Sequence, residues 1–303
     1  MNLTSLISEI NQLGKNLGQV QNIEHANISD FHWFNIIGAA EEKLISDKAF
    51  TGIDLDPLVA LAKAHSEMVE RKIFTMGNKL GLDSCLTERS DGFAAYPNNL
   101  GIKSIEKARD NALGEAIERF GWAKWWDDQD TAYKHNIFTL GEFSKKYFEA
   151  SKLLIEIDSQ TPIEKVHVII PEFSNYKKYQ LIILVAEISS GLVTGGACGL
   201  HSSREKIIIR AASELFRHAL VHIQDKAKPE VMSPYEERLL YFLSSKGLAK
   251  FYNRLDFKGI KKLKFPELVI DQQVPIASSH VVYRCLFKDQ PPFIGGPVDR
   301  MCL

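Results

Sequence analysis

The chain has 303 residues, of which 45% are hydrophobic and 25% are charged, a composition typical of a folded globular protein with a full core. Its 37 basic and 38 acidic residues give a net charge of -1, so we expect neither nucleic acid nor an anionic membrane as a partner. The four cysteines lack C-x-x-C spacing, which argues against a disulfide framework or a thiolate zinc site. Because the sequence shows no signal peptide and no apolar run of membrane length, we expect a cytoplasmic protein.

The sequence predicts helices in several parts of the chain. The first 50 residues predict two short helices around a polar bend. Three longer helices follow, each with good helix formers after a polar cap: 55–74, about 105–126 and 203–224. Their expected caps are Asp56, Ser104 and Ser202, the last with the spacing of a capping box to Glu205.

Predicted strands occupy the rest of the chain. β-branched runs of strand length lie between the second and third helices and again after residue 260: 165–173, 179–189, 265–271 and 280–287. The glycine pairs in Thr194–Gly196 and Gly295–Pro297 lack the spacing of a phosphate-binding loop and are interpreted as turns. Since no linker interrupts the chain, we expect one α+β domain over 1–303.

A similar segment surrounds a glutamate in each of the three longer helices. A small residue precedes the glutamate, and two mostly apolar and then two polar residues follow it, in His65–Arg71, Leu113–Arg119 and Ala212–His218. In each helix the glutamate comes about three turns after the expected cap. The three helices are therefore expected to carry a carboxylate at a similar depth.

Two of these segments read E-x-x-E-R, which places Glu67 with Glu70, and Glu115 with Glu118, on one helix face. A solvated surface with a local Glu–Arg pair explains any single segment, and this interpretation stays open. The apolar neighbours of all three segments favour buried faces, where several acids need a compensating cation. Magnesium prefers carboxylate oxygens, and the adjacent arginines suit phosphate. The pattern indicates a metal and nucleotide pocket without a Walker loop.

Three motifs, taken in their order along the chain, resemble those of the YcaO family of ATP-dependent peptide-modifying enzymes. The first motif is A-x-x-E-x-x-E-R over Ala64–Arg71. The second is S-x-G-x-A-A from Ser90, followed by A-L-x-E-x-I-E-R up to Arg119. The third is G-x-H at Gly199, followed by R-A-x-x-E up to Glu214. The resemblance is strong over about 50–225 and weak elsewhere.

The resemblance implies a single YcaO-like domain of the α+β class, with three glutamate-bearing helices packed on mixed β-sheets around a nucleotide pocket. It implies ATP and magnesium as cofactors, used to phosphorylate the oxygen of a backbone amide in a ribosomally made peptide. The attacking nucleophile would then set the product, an azoline, a thioamide or an amidine, as in bacteriocin-type biosynthesis. Such a phosphoryl transfer depends on positioning and charge neutralisation.

Carried over residue by residue, the resemblance implies that the metal ligands are Glu67, Glu70, Glu115, Glu118 and Glu214. These glutamates would also contact the nucleotide, together with Ser90, Arg71, Arg119 and Arg217. The third motif departs from the family pattern, because Arg217 stands where a glutamine is frequent and Ala219 where an arginine is frequent. The final residues, PPFIGGPVDRMCL, lack the P-x-P-x-P tail of many azoline-forming members, which favours a thioamide or an amidine.

Partners and other functions are left open at this point. No leader-binding domain is evident, so a partner protein is expected for peptide capture or sulfur delivery. The oligomeric state is undetermined, and a homodimer is one option. A second hypothesis is a catalytically weak scaffold that binds a peptide or partner without turnover. A third is an accessory role in methylthiolation of a ribosomal protein.

Several other residues could carry chemistry but receive a simpler interpretation. They are Trp122, Trp125, Trp126, His218, His222 and Cys198. For the tryptophans, core packing is favoured over stacking on a base. For the histidines, helix packing or contact with substrate is favoured over a role as two ligands of a zinc site. A small buried residue is favoured over a nucleophile for the cysteine. The lysines over 258–264 are interpreted as a solvated face.

Overall fold

The computed structural model describes residues 4, 7, 8, 20–38, 49–75, 91–98, 101–224, 234–275, 280–292 and 297–301. Among these residues the helices are α1 (Pro57–Thr75), α2 (Ile102–Asp127), α3 (Leu140–Lys146), α4 (Phe148–Gln160), α5 (Arg204–Gln224), α6 (Pro234–Phe242) and α7 (Ser245–Leu255). No helix of this part of the chain is long and apolar enough to cross a membrane.

The strands of the described residues form three sheets. They are β1 (Val20–Ile28), β2 (Phe31–Gly38), β3 (Ala49–Asp54), β4 (Gly92–Pro97), β5 (Tyr133–Phe138), β6 (Ile163–Pro171), β7 (Tyr179–Ile188), β8 (Gly191–Leu200), β9 (Leu268–Val274) and β10 (His280–Phe287). The strand orders are β1-β2-β3, β4-β10-β9 and β5-β6-β7-β8, and the pairing is antiparallel throughout the first and third sheets. The expected α+β class is confirmed.

The chain divides into two compact units. The first comprises 1–86, 93–111 and 272–284, and the second comprises 87–92, 112–271 and 285–303. Helix α2 contributes 102–111 to the first unit and 112–127 to the second. A single domain over 1–303 stays a prediction.

The amino-terminal region differs from the prediction. Two helices were expected within the first 50 residues, whereas 20–28 and 31–38 form a β-hairpin whose turn carries Ser29 in the left-handed region at a φ of 55°. The helical prediction is therefore wrong for the hairpin. Phe31, Phe34 and Ile36 are buried, and apolar residues at such mixed spacing fit either a helix or a strand by periodicity alone.

The three longer helices are confirmed, with corrections at their starts. Asp56 caps α1, because its carboxylate accepts hydrogen bonds from the backbone N–H groups of Leu58 at 2.8 Å and Val59 at 3.3 Å. Ser104 is not the cap of α2, since it lies inside the first turn and its hydroxyl donates to the Pro97 carbonyl at 2.7 Å. Helix α5 begins at Arg204, after a 3-10 turn over 201–203.

Strand glycines lie directly against the backbones of the three glutamate-bearing helices. The contacts are Gly52 of β3 on Ala60 and Ala64 of α1, Gly92 of β4 on Ala112 and Ala116 of α2, and Gly195 of β8 on Ala211 and Leu215 of α5. A Cβ on Gly92 would lie 1.7 Å from a helix carbonyl oxygen, and one on Gly195 would lie 2.2 Å from a helix nitrogen. Strand and helix approach this closely only because the glycines lack a side chain.

The expected turn at Thr194–Gly196 is wrong, because these residues lie inside the buried strand β8. Gly196 faces Trp122, whose ring carbon Cζ3 would lie 2.3 Å from an added Cβ. The glycines therefore make room for a helix and an indole ring rather than for a change of chain direction. The other expected turn, Gly295–Pro297, falls mostly outside the described residues.

The tryptophans of α2 form the centre of a hydrophobic core, as predicted. Trp122 and Trp125 are fully buried and Trp126 is 7% exposed, in one cluster with Phe242 of α6 and Met301 near the carboxyl end. This core holds the carboxyl-terminal half of α2, which carries the second E-x-x-E-R segment one to two turns before Trp122.

Replacing a packing glycine by alanine tests these contacts. We expect Gly92→Ala and Gly195→Ala each to lower the free energy of unfolding by about 3 kcal/mol or more, because backbone rather than a flexible side chain would have to move. Urea unfolding measures the loss. Gly141→Ala in α3 is the matched control, since its Cβ would meet nothing within 4 Å. A loss in Gly92→Ala no larger than in this control would contradict the proposed packing.

Candidate functional site

Arg119 connects the second E-x-x-E-R segment to the chain before β4. Its guanidinium forms an ion pair with Glu115, one turn earlier on α2, and its Nη1 donates to the carbonyl oxygen of Asp91 at 2.7 Å. Asp91 is buried, and Gly92 beside it packs on α2. The glycine and the arginine together fix Asp91 and Gly92 of the S-x-G-x-A-A segment against the helix.

Glu118, at the end of the same segment, binds the edge of a sheet. Strand β8 is an outer strand of its sheet, and the backbone N–H of Cys198 donates to Glu118 Oε2 at 3.0 Å. The carbonyl oxygen of Cys198 accepts from Arg210 Nη1 of α5 at 3.1 Å. Both backbone groups of Cys198 thus find side-chain partners instead of a neighbouring strand, as buried backbone groups require.

The surroundings of Glu118 strongly favour its protonated form. Burial raises the pKa of Glu118 to about 7, well above the usual range of a glutamate. The guanidinium of Arg210 opposes this rise in pKa. The carboxylates of Glu115 and Glu214 add to the rise, and the charge of Arg119 again opposes it. Carboxylates of two helices, α2 and α5, therefore lie within electrostatic reach of one another.

The first E-x-x-E-R segment, in the other unit, has the same internal arrangement. Arg71 donates to Glu67 Oε1 through Nε at 3.1 Å and through Nη2 at 2.7 Å. Glu70 Oε1 accepts from the backbone N–H of Ala95 at 2.7 Å, on β4, an outer strand of its sheet. In both segments, then, the first glutamate pairs with the arginine and the second binds the amide of an edge strand.

The third glutamate, Glu214 of α5, forms an ion pair with Arg217 at 3.2 Å. The structure thus brings Glu115, Glu118 and Glu214 together within one unit and places Glu67 and Glu70 in the other. Over the described residues, no group of three or more histidine, cysteine or acidic side chains is arranged to hold a metal ion. Ser90, the expected nucleotide-side serine, lies outside the described residues.

The simpler interpretations of Cys198 and His218 are confirmed. Cys198 is buried, and burial raises the pKa of its thiol, which does not suit a nucleophile. His218 is buried on α5, its Nδ1 donates to the Thr194 carbonyl at 2.6 Å, and burial lowers the pKa of its imidazole. His218 therefore joins helix to strand, as expected of a packing residue. The side chain of His222 lies outside the described residues.

Arg210 is the member of the site that the sequence did not single out. It begins the R-A-x-x-E motif, one turn before Glu214 on α5, and contacts the same peptide unit as Glu118. Its spacing of four residues before a glutamate was the available signal, but that spacing is also typical of a surface ion pair.

The fold is similar to that of solved structures. A YcaO protein from Methanopyrus kandleri, bound with AMPPCP and Mg2+, matches 96% of this chain and 91% of its own length, with a TM-score of 0.59 and 12% sequence identity. The chain has the YcaO fold. At the level of sequence, no family model and no curated protein matches it.

A second solved structure with a similar fold is a heterocyclase in complex with substrate and cofactor. It aligns with 97% of this chain at a TM-score of 0.54 and 14% identity. The chain spans about half of that protein, since the match covers 54% of its length. The shared YcaO fold agrees with the resemblance drawn from the three glutamate motifs.

The raised pKa of Glu118 predicts a pH-dependent cost to stability. Between about pH 4.5 and pH 7 the unfolded chain ionises this carboxyl group while the folded protein keeps it protonated, so stability is lost as the pH rises through that interval. Glu118→Gln keeps the acceptor for Cys198 and cannot ionise. We expect its stability relative to wild type to rise by about 2–3 kcal/mol between pH 4 and pH 8.

Urea unfolding at both pH values, with a chelator present, measures this difference. Glu106→Gln, on the exposed side of α2, is the matched control for the loss of one carboxylate from the same helix. A difference between Glu118→Gln and wild type that does not change with pH would show that Glu118 is not held in a charge-excluding site.

Proposed function

We propose that this protein is an ATP- and magnesium-dependent enzyme that activates a backbone amide of a ribosomally made peptide by phosphorylating its oxygen. The proposal rests on the arrangement of α2 and α5, which gathers three carboxylates and two arginines at the edge of β8. The YcaO fold supports it, since a protein of this fold binds AMPPCP and Mg2+.

The donor groups of this site suit magnesium. Glu118 uses Oε2 for the Cys198 amide, and the described part of the chain places no hydrogen-bond donor on its Oε1. With Glu115 and Glu214 nearby, the site offers hard carboxylate oxygens that repel one another without a cation. A divalent ion would relieve that repulsion and remove the preference for a protonated Glu118.

Each side chain then has a defined role. Glu118 and Glu214, with Glu115, would hold magnesium, whose charge when bound offsets the charge that develops on the transferred phosphoryl group. Arg119 and Arg210 stay fixed by the carbonyl oxygens of Asp91 and Cys198. Anchored in this way, the guanidinium group of Arg210 is preorganised to donate to phosphate oxygens, whereas Arg119 would first have to exchange its ion pair with Glu115.

Glu67 and Glu70 stay proposed ligands through the resemblance to the family, as do Arg71 and Ser90 for the nucleotide. Arg217 is paired with Glu214, so a role in phosphate binding would require it to exchange that partner.

The nucleophile, and with it the product, is not fixed by these residues. Near the carboxyl end, Arg300 forms an ion pair with Asp127 at 2.6 Å, and Trp126 Nε1 donates to the Asp299 carbonyl at 3.1 Å. These contacts hold the described end of the chain at the last turn of α2, about 13 Å along the helix from Glu118. An azoline, a thioamide and an amidine therefore all stay candidate products of the proposed activation.

A scaffold without turnover is the second candidate. The observation in its favour is that Glu115 and Glu214 are each paired with an arginine, and that the described residues hold no group ready to bind a metal. Under this hypothesis the glutamates and arginines only fasten helices to sheet edges. A partner protein or a peptide would then bind without any dependence on nucleotide.

Calorimetric titration with ATP, with and without magnesium, separates the two candidates. We expect wild type to bind ATP only with magnesium, and Glu118→Gln and Glu214→Gln to weaken binding at least about tenfold, because each loses a charged oxygen ligand. Glu205→Gln, in the exposed first turn of α5, is the matched control and should bind as wild type does.

Three results would count against the enzyme. Absence of magnesium-dependent binding in wild type would favour the scaffold. Wild-type affinity in both Glu118→Gln and Glu214→Gln would show that these carboxylates do not hold the magnesium-bound nucleotide. Binding that Glu205→Gln weakens as much as Glu118→Gln does would move the nucleotide away from the edge of β8. Far-UV circular dichroism of each variant checks that the fold is retained.

A further inference from the structure

Two histidines form a pair on the amino-terminal hairpin, in the unit that holds Glu67 and Glu70. His25 lies on β1 and His32 on β2, and the register pairs His25 with Phe34 and Asn27 with His32. The two histidines are therefore diagonal neighbours on one face of the hairpin. His25 Nε2 and His32 Nδ1 are 3.2 Å apart.

The ring of His25 is held in place by a core residue. It stacks on Phe34 with centroids 4.3 Å apart and the planes inclined by 17°. Phe34 is 3% exposed, so it gives the histidine a rigid support. His25 itself is exposed to solvent, where no burial requires its nitrogens to pair. An exposed hydrogen bond between two imidazoles adds little stability. Stability of the fold therefore does not explain why the two rings are held side by side.

The distance between the two nitrogens is close to the distance between two nitrogens bound to one transition-metal ion. Imidazole nitrogens bind zinc at about 2.0–2.1 Å, so two of them at a tetrahedral angle lie about 3.3 Å apart. The observed 3.2 Å is close to that value, and both rings would turn so that their lone pairs converge on the ion rather than on each other. Histidine in its neutral form is the commonest protein ligand for such ions.

We propose that His25 and His32 form a binding site for a first-row transition ion such as Zn2+, separate from the carboxylates of α1, α2 and α5. The ion would replace the proton shared between Nε2 of His25 and Nδ1 of His32, and water would complete its coordination. A site with two protein ligands binds with moderate affinity, and the Irving–Williams order places Cu2+ above Zn2+.

The carboxylate beside His32 on the neighbouring strand is occupied. Asp54 of β3 pairs with His32 in the sheet, but its Oδ2 binds Lys63 Nζ at 2.6 Å and its Oδ1 accepts from the Asp56 N–H at 3.1 Å. We therefore do not assign Asp54 to the ion. Bound metal would join β1 to β2 close to their turn and stabilise the folded hairpin by mass action.

Calorimetric titration of the full chain with Zn2+, in the presence of excess magnesium to occupy carboxylate sites, tests the proposal. We expect one Zn2+ per chain, with the affinity reduced at least about tenfold in His25→Gln and in His32→Gln. His201→Gln removes another exposed histidine and is the matched control. Electron paramagnetic resonance with Cu2+ should show coupling to two imidazole nitrogens in wild type and to one in either variant.

Failure to bind Zn2+ at millimolar concentration would overturn the proposal, as would unchanged affinity in both hairpin variants. A loss in His201→Gln equal to that in His25→Gln would also do so, because the ion would then lie elsewhere. None of these results depends on ATP, so they test the histidine site independently of the proposed nucleotide site. Because both histidines lie at or near the surface, circular dichroism is expected to show folded variants.

Discussion

The contact of a strand glycine with a helix backbone is the constraint on which the rest of this structure depends. It occurs at Gly52, Gly92 and Gly195, once for each glutamate-bearing helix. A side chain at these positions would overlap a helix carbonyl or amide. The contact therefore allows very little variation in the distance between strand and helix. The glutamates of α1, α2 and α5 lie within or shortly after these contacts, so their backbone positions are fixed with the precision that a site built to position charge needs.

A second consequence concerns the two glutamates of each E-x-x-E-R segment, which have different tasks. The first forms an ion pair with the arginine four residues later, and the second accepts from an edge-strand amide, Ala95 for Glu70 and Cys198 for Glu118. A carboxylate that closes the edge of a sheet is held in a defined position before any ligand arrives. The same bond can therefore serve both the fold and the orientation of the remaining oxygen toward a cation.

The sequence predicted the parts of this architecture that depend on local signals. Runs of helix formers located α1, α2 and α5, and three ordered motifs led to the YcaO fold. Signals that depend on tertiary packing failed: Gly195 was interpreted as a turn, although its lack of a side chain serves contact with α5. The β1–β2 hairpin was missed because its apolar spacing fits two periods. Arg210 was missed because only the fold brings it to Cys198.

Hydrogen–deuterium exchange with and without ATP, in magnesium throughout, tests most directly whether the carboxylates of α2 and α5 form a nucleotide site. The account predicts slower exchange confined to the segments that carry these residues, 112–119, 196–200 and 204–217, because ligands of both helices would be held together. Slower exchange only in other segments, or no change at saturating ATP, would contradict it.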